Sequence, residues 1–239
     1  MLSLTVFSRR FTPSLWMTIL AFLTMALFLR LGFWQIARGG EKKAMIASEQ
    51  KYAATAPISW MPGERYPLKY QWIKLKGNYL PDLLLLDNQH HNHRIGYHVL
   101  SPLALANGHL VLIDRGWIPN EGGRDKLPVV KTPVGPQEII GYAYYPSSKH
   151  IALGEMVEKK MNQVSIIEWI DIQEISHFLH KSVYPFIIRL GEHEAHGFIR
   201  EWPIVSMSPE RHYAYALQWF AMAFVISILF IGLNLKKKT

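Results

Sequence analysis

The sequence predicts a membrane protein of mixed α+β class. Two transmembrane helices flank a β-rich, antiparallel, barrel- or sandwich-like extracytoplasmic domain. Three observations predict this. Residues 15–29 and 213–235 are uncharged apolar runs near opposite ends of the 239 residues. The segment between them carries short β-rich runs broken by turn residues. Unopposed positive charge collects beyond the two runs, at Arg9 and Arg10 and at Lys236, Lys237 and Lys238.

In chain order, residues 1–13 read as a cytoplasmic tail and 14–33 as the first span. At about 1.5 Å per residue such a segment crosses a hydrocarbon core of about 30 Å. A basic stretch followed by an apolar one resembles a secretory signal. However, the run leads into Arg30-Leu31-Gly32-Phe33-Trp34-Gln35 with no small-x-small cleavage site, so an uncleaved anchor is expected. Residues 34–211 form the expected outer domain, opening with a juxtamembrane helix over 34–56 and a hinge at Gly39-Gly40. Strands are expected at 70–77, 83–86, 97–100, 110–113, 138–145, 164–167 and 184–190. Gly77-Asn78, Asn107-Gly108, residues 119–123 and residues 132–136 supply the turns. An Asp start followed by Ile172, Ile175, Phe178 and Leu179 at helical spacing predicts one amphipathic helix over 171–181. Residues 212–235 are the second span and 236–239 a cytoplasmic tail. Short basic tails weigh more than a long translocated segment, which places both termini in the cytoplasm of a bacterial inner membrane and the main domain in the periplasm.

Composition narrows the function. A net charge of +8 invites a nucleic-acid reading, yet all 18 acidic residues lie between Glu41 and Glu210, and the middle of the chain is close to neutral. The surplus charge belongs to the tails, at an anionic lipid surface. No cysteine is present, which excludes disulfides, thiolate metal sites, cysteine nucleophiles and covalent c-type haem attachment. No nucleophile elbow, phosphate-binding loop or dinucleotide fingerprint occurs.

The residues that can carry chemistry cluster at the second apolar run. His212, Tyr215, Trp219 and Met222 fall at i, i+3, i+7 and i+10 of one helix. Such a stripe offers an axial nitrogen ligand and a flat wall for a porphyrin, with Arg211, Arg30 and Arg38 available to propionates. An aromatic belt at the headgroup level gives the same pattern. His90, His91, His93 and His98 read either as a divalent-metal cluster or as a polar turn between strands. In His193-Glu194-Ala195-His196 the spacing is wrong for a zinc helix. Asp114-Arg115-Gly116-Trp117 reads as a turn at the end of a strand, in which the charged pair ties loops together, Gly116 permits the bend and Trp117 packs.

Four segments, in order, look familiar. Leu31-Gly32-Phe33-Trp34-Gln35-Ile36-Ala37-Arg38 resembles the Leu-Gly-x-Trp-Gln-x-x-Arg signature of the Surfeit locus protein 1 family. Residues 96–103 and 111–119 are similar to two further family segments, the latter an Arg-Gly-Trp-x-Pro motif. His212, Tyr215, Ala216, Gln218 and Trp219 match the family's closing His-x-x-Tyr-Ala-x-Gln-Trp, with Ala214 standing where the family often has Gly. The resemblance implies a non-enzymatic assembly factor for haem-copper cytochrome c oxidase. Its implied role is to handle haem A and assist its insertion into subunit I, with transiently bound haem A as cofactor and His212 as axial ligand of the iron. Tyr215, Trp219 and Arg38 complete the implied cofactor site. The implied partners are oxidase subunit I, other assembly factors and the lipid bilayer, not nucleic acid; a homo-oligomer stays open. Two alternatives also stay open: a scaffold that recruits oxidase subunits or other factors without touching haem, and a metal hydrolase built on the histidines between 90 and 98.

Overall fold

The computed structural model describes residues 4–6, 9–122, 127–147 and 154–237; Lys238 of the basic tail and Gly123 of one expected turn lie outside them. In chain order the elements are β1 (Leu4–Val6), β2 (Arg9–Phe11), α1 (Leu15–Ala53), β3 (Ile58–Ser59), β4 (Trp72–Tyr79), β5 (Leu83–His91) and β6 (Arg94–Ala104). They continue with β7 (Leu110–Pro119), β8 (Pro136–Tyr144), β9 (Val157–Met161), β10 (Val164–Ile167), α2 (Ile172–Leu179), β11 (Val183–Leu190), α3 (Pro209–Asn234) and β12 (Leu235–Lys237). The chain divides into two compact units, Met1–Ser48 with Pro203–Thr239, and Glu49–Trp202.

The first unit is a helical hairpin. Its side-chain contacts run in opposite senses along the two helices: Phe22 meets Phe230, Phe28 meets Trp219 and Phe33 meets Phe220. Thus α1 and α3 are antiparallel. Both are long and apolar enough to cross a membrane. Leu20, Leu23, Leu27, Phe224, Ile228 and Leu233 stand exposed on them. Glycine sets the approach of the helices. A Cβ on Gly32 would lie 2.6 Å from the Phe220 ring, and one on Gly39 would lie 2.6 Å from the Tyr213 ring. The expected hinge at Gly39-Gly40 is therefore absent: α1 runs through unbroken, and Gly39 is there for packing. At the open end of the hairpin, β2 pairs with both β1 and β12.

The second unit is a nine-stranded sheet in the order β3-β4-β8-β11-β7-β6-β5-β10-β9. Pairs β3–β4, β5–β10 and β7–β11 are parallel and the others antiparallel. The expected antiparallel sheet is thus a mixed one. The reason is connectivity: β10 and β11 each return after long excursions and add beside β5 and β7 in the same direction. A further ladder joins β4 to β6 over Asn78↔Ala104 and Tyr79↔Leu103, which links five strands in a ring. It is two residue pairs long, and the sheet is not a clear barrel.

Central β7 shows why the sequence period is weak there. Leu110, Val111, Leu112 and Ile113 are all fully buried, because both faces of the strand are covered. Val111 and Ile113 join Trp60, Ile73, Phe186 and Ile188 on one side. Leu112 joins Leu84, Leu100 and Ile187 on the other, where α2 seals the layer with Ile175. Helix α2 begins where Asp171 Oδ1 accepts from the N–H groups of Gln173 and Glu174, at 2.8 and 3.0 Å. It ends at His180, in the left-handed conformation at φ 52°.

The segment expected to turn after Ile113 instead stays in β7. Leu100 pairs with Asp114 and His98 with Trp117, so Arg115 and Gly116 bulge opposite a single residue. Gly116 has φ +111°, and a Cβ there would meet the Ile199 carbonyl oxygen at 2.5 Å. Gly116→Ala should lower the stability of the full chain by about 2 kcal/mol or more, read as a drop in the denaturation midpoint.

Tyr79 and Tyr142 carry a second test. Burial pushes both phenols up to about 12 from their ordinary value of 10.0. A raised folded-state value means that the native chain holds these protons where the unfolded chain releases them. Their contribution is complete below pH 10 and is lost as the pH rises from there to about 12. Unfolding midpoints should fall across that window, and Tyr142→Phe should flatten the fall.

Candidate functional site

Of the residues that the sequence singles out, His212 has the most specific setting. It lies one turn into α3 and is 8% exposed. Its Nδ1 is 2.7 Å from Oε1 of Gln35 on α1. With the amide oxygen facing the ring, the tautomer that fits is the one in which Nδ1–H donates to Gln35 Oε1, and in that tautomer Nε2 is the lone-pair nitrogen. That Nε2 is buried and has no hydrogen-bond partner among the described residues. A buried, unprotonated, unpartnered imidazole nitrogen is costly in a fold and is also the form that binds a metal.

Gln35 was legible only as part of a motif; its role as the partner of His212 was not. Spacing gives a retrospective signal. Gly32, Gln35 and Gly39 fall at i, i+3 and i+7, on one face of α1, and the two glycines admit Phe220 and Tyr213 of α3. The polar member of that stripe meets the polar member of the facing helix.

The other candidate cofactor residues are arranged differently. Trp219 is half-buried and packs on Phe28, with ring centroids 5.5 Å apart. Tyr215 is 45% exposed on the flank of α3. Arg38 is exposed and pairs with Glu41 one turn along its own helix, at 2.6 Å. The buried face that His212 continues is made by Ala216 and Ala223. The described stripe is therefore a histidine and a tryptophan turned toward α1, with a tyrosine at its edge.

The remaining candidates resolve into structural roles. His91 and Arg94 pair at the tip of the β5–β6 hairpin, and Asn92 and His93 turn it with φ 46° and 61°. His91 packs on Trp117 and His98 bonds Asp114, so the histidines disperse. Among the described residues no three metal-ligating side chains gather. His193 and His196 lie in a turn segment, where Glu194 Oε2 accepts from the Ile140 N–H at 3.3 Å. Arg115 is 2% exposed and ties three segments together. Its Nε donates to the His196 carbonyl at 2.8 Å, its Nη2 to the Lys131 carbonyl at 3.1 Å, and its Nη1 approaches Ser101 Oγ at 3.4 Å. Tyr79 and Phe198 lie against the guanidinium, and burial pulls it below its usual range. Trp117 Nε1 donates to the Gln89 carbonyl at 2.9 Å.

The model of the SURF1 family matches residues 22–224, a stretch that contains both Gln35 and His212. The chain belongs to the SURF1 family. It is similar to a SURF1-like protein of Rickettsia felis, 26% identical over 217 residues, covering 87% of this chain and 92% of that one. It is likewise similar to a SURF1-like protein of Rickettsia conorii, 26% identical over 222 residues, covering 89% and 88%.

The Gln35–His212 pair makes a direct prediction. Gln35→Leu leaves a second buried nitrogen without a partner and should cost about 1–3 kcal/mol of stability. In side-chain ¹⁵N spectra of histidine-labelled protein, His212 should show a protonated Nδ1 and a bare Nε2 in the wild type, and a tautomer mixture in the variant.

Proposed function

We propose that this SURF1-family chain is an assembly factor for a haem-copper cytochrome c oxidase and that it holds haem A in transit to subunit I. The family supports the oxidase role. The observation that supports the haem reading is the buried, unpartnered Nε2 of His212, held as a lone-pair donor by Gln35. The donor chemistry fits a ligand of haem iron, and a coordination bond to iron would satisfy this nitrogen. His212 would hold the iron, with Trp219 and Tyr215 flanking the macrocycle and Arg38 available to a carboxylate at the polar edge.

The chain's own residues have two tasks in this reading. Gln35 fixes the imidazole tautomer and prevents ring rotation. The glycines of α1 hold α3 close enough for that contact to form. The same reading places both helices across a bacterial inner membrane, with boundaries at 14–33 and 212–235, both tails cytoplasmic and the β-rich domain outside. The antiparallel hairpin and the pairing of β2 with β12 support a common side for the two ends. The exposed leucines and phenylalanines of the hairpin support a lipid environment. Subunit I and other assembly factors are the partners this role requires.

The test is an absorption spectrum of full-length protein, purified in detergent from a haem-A-producing host. His212→Ala should remove the bound chromophore and slow oxidase maturation, while Gln35→Leu should reduce haem retention without abolishing it. Haem absent from the wild type would leave a scaffold. Equal haem in wild type and His212→Ala would sink His212 as the ligand.

A further inference from the structure

The Glu49–Trp202 unit contains a second site that the haem reading does not use. A cavity of about 290 Å³ opens among β5, β6, β7, β11 and the segments around Pro146 and Trp169. Arg189 on β11 reaches it. The guanidinium lies over the Tyr144 ring at 3.9 Å and over the Trp202 ring at 5.0 Å. Rings therefore hold its flat faces and leave the N–H edges for ligands. Those edges are poorly used. Nη1 lies 3.5 Å from the Tyr142 hydroxyl, and the buried Nε has no partner among the described residues. Among the described residues Arg189 forms no ion pair.

The carboxylate across from it in the sheet is already committed. Asp114 stands opposite Arg189 in the β7–β11 register. However, its oxygens lie 3.1 and 3.2 Å from His98 Nδ1, and Oδ1 also accepts from the Gly116 N–H. The His98 ring in turn packs on Trp202. Asp114 is thus held by the β7 bulge and His98, and the charge of Arg189 is left facing the cavity. The rest of the lining includes Leu86, Ile170, Ile187 and Trp169. Gln89, His98, Asp114, Ser147 and Glu168 make the polar part of the same lining, and the one fork-shaped cation beside Trp169 and Ile187 suits a carboxylate on a flat apolar body. A phosphate dianion would require several more N–H donors.

We propose that this cavity binds a small organic monocarboxylate, its carboxylate on the Arg189 fork and its apolar body against Trp169 and Ile187. Glu168, exposed at the rim, opposes such an anion and limits its affinity. The site is independent of whether His212 binds haem.

The experiment is calorimetric titration of the full-length chain in detergent with benzoate, and separately with inorganic phosphate, at constant ionic strength. Benzoate should bind saturably with a dissociation constant of roughly 1 mM or tighter, and phosphate at least about tenfold more weakly. Arg189→Gln should weaken benzoate by about tenfold or more. If that variant does not fold, Glu168→Gln still decides the matter, since removing the rim charge should tighten benzoate. No saturable benzoate binding, phosphate binding more tightly than benzoate, an unchanged affinity in Arg189→Gln, or no gain in Glu168→Gln would each overturn the proposal. His212→Ala should leave benzoate binding unchanged, which separates this site from the haem reading.

Discussion

The hairpin depends on the absence of two side chains. Gly32 and Gly39 let the rings of Phe220 and Tyr213 rest against the backbone of α1. Gln35 lies between them in sequence, and only at that helix separation does its amide reach His212. Between two helices of such apolar surface, close packing and the occasional hydrogen bond decide the register. A buried hydrogen bond there is also costly to lose, because the group left behind has no ready replacement partner. The same glycine approach therefore fixes the helix register and prepares the His212 tautomer.

A similar economy governs the sheet. The bulge at Arg115 and Gly116 turns the Arg115 guanidinium into the interior, where it gathers carbonyls of segments far apart in sequence. A buried charge with no carboxylate beside it needs many oriented dipoles. Here carbonyls, a hydroxyl and two rings supply them. The bulge also aims the Gly116 N–H at Asp114, which holds that carboxylate beside His98. One irregularity thus leaves room for the Ile199 backbone, which bridges to Trp117 on one side, and sets the polar floor of the Arg189 cavity on the other.

Much of this was legible in the sequence, and the failures have physical causes. The apolar helices, the α2 pattern with its Asp171 cap, and most strands follow from period and capping, which are local. The β5–β6 turn at Asn92-His93 was readable as one of two options. The parallel pairings were not, since β5–β10 and β7–β11 are set by distant segments and leave no mark on local alternation. Gly39 read as a weak point in a helix because a glycine's use as a packing hollow depends on what faces it. Asp114-Arg115-Gly116-Trp117 read as a turn because a bulge uses the same residues. For the candidate site, His212 could be picked out from its place in a motif, but its tautomer could not. That depends on Gln35, 177 positions away.

The choice of an amide as the partner of His212 bears on what the proposed role requires. A carboxylate on Nδ1 pulls the shared proton, makes the imidazole strongly basic and tightens the bond that Nε2 makes to a metal. An amide oxygen orients the ring equally well but donates less. In the proposed role the ligand would then be correctly aimed and only moderately strong, a combination suited to a carrier that must surrender its cargo. Burial of Nε2 works in the same direction. The packing of the hairpin covers this nitrogen, so in the proposed role binding would have to displace packing around it. That cost lowers affinity without weakening the geometric selection of what binds. An enzyme that keeps its haem would gain from a carboxylate acceptor on Nδ1 and an open ligand. In the proposed role, a protein that passes haem on would gain from the neutral amide partner and from the burial of Nε2.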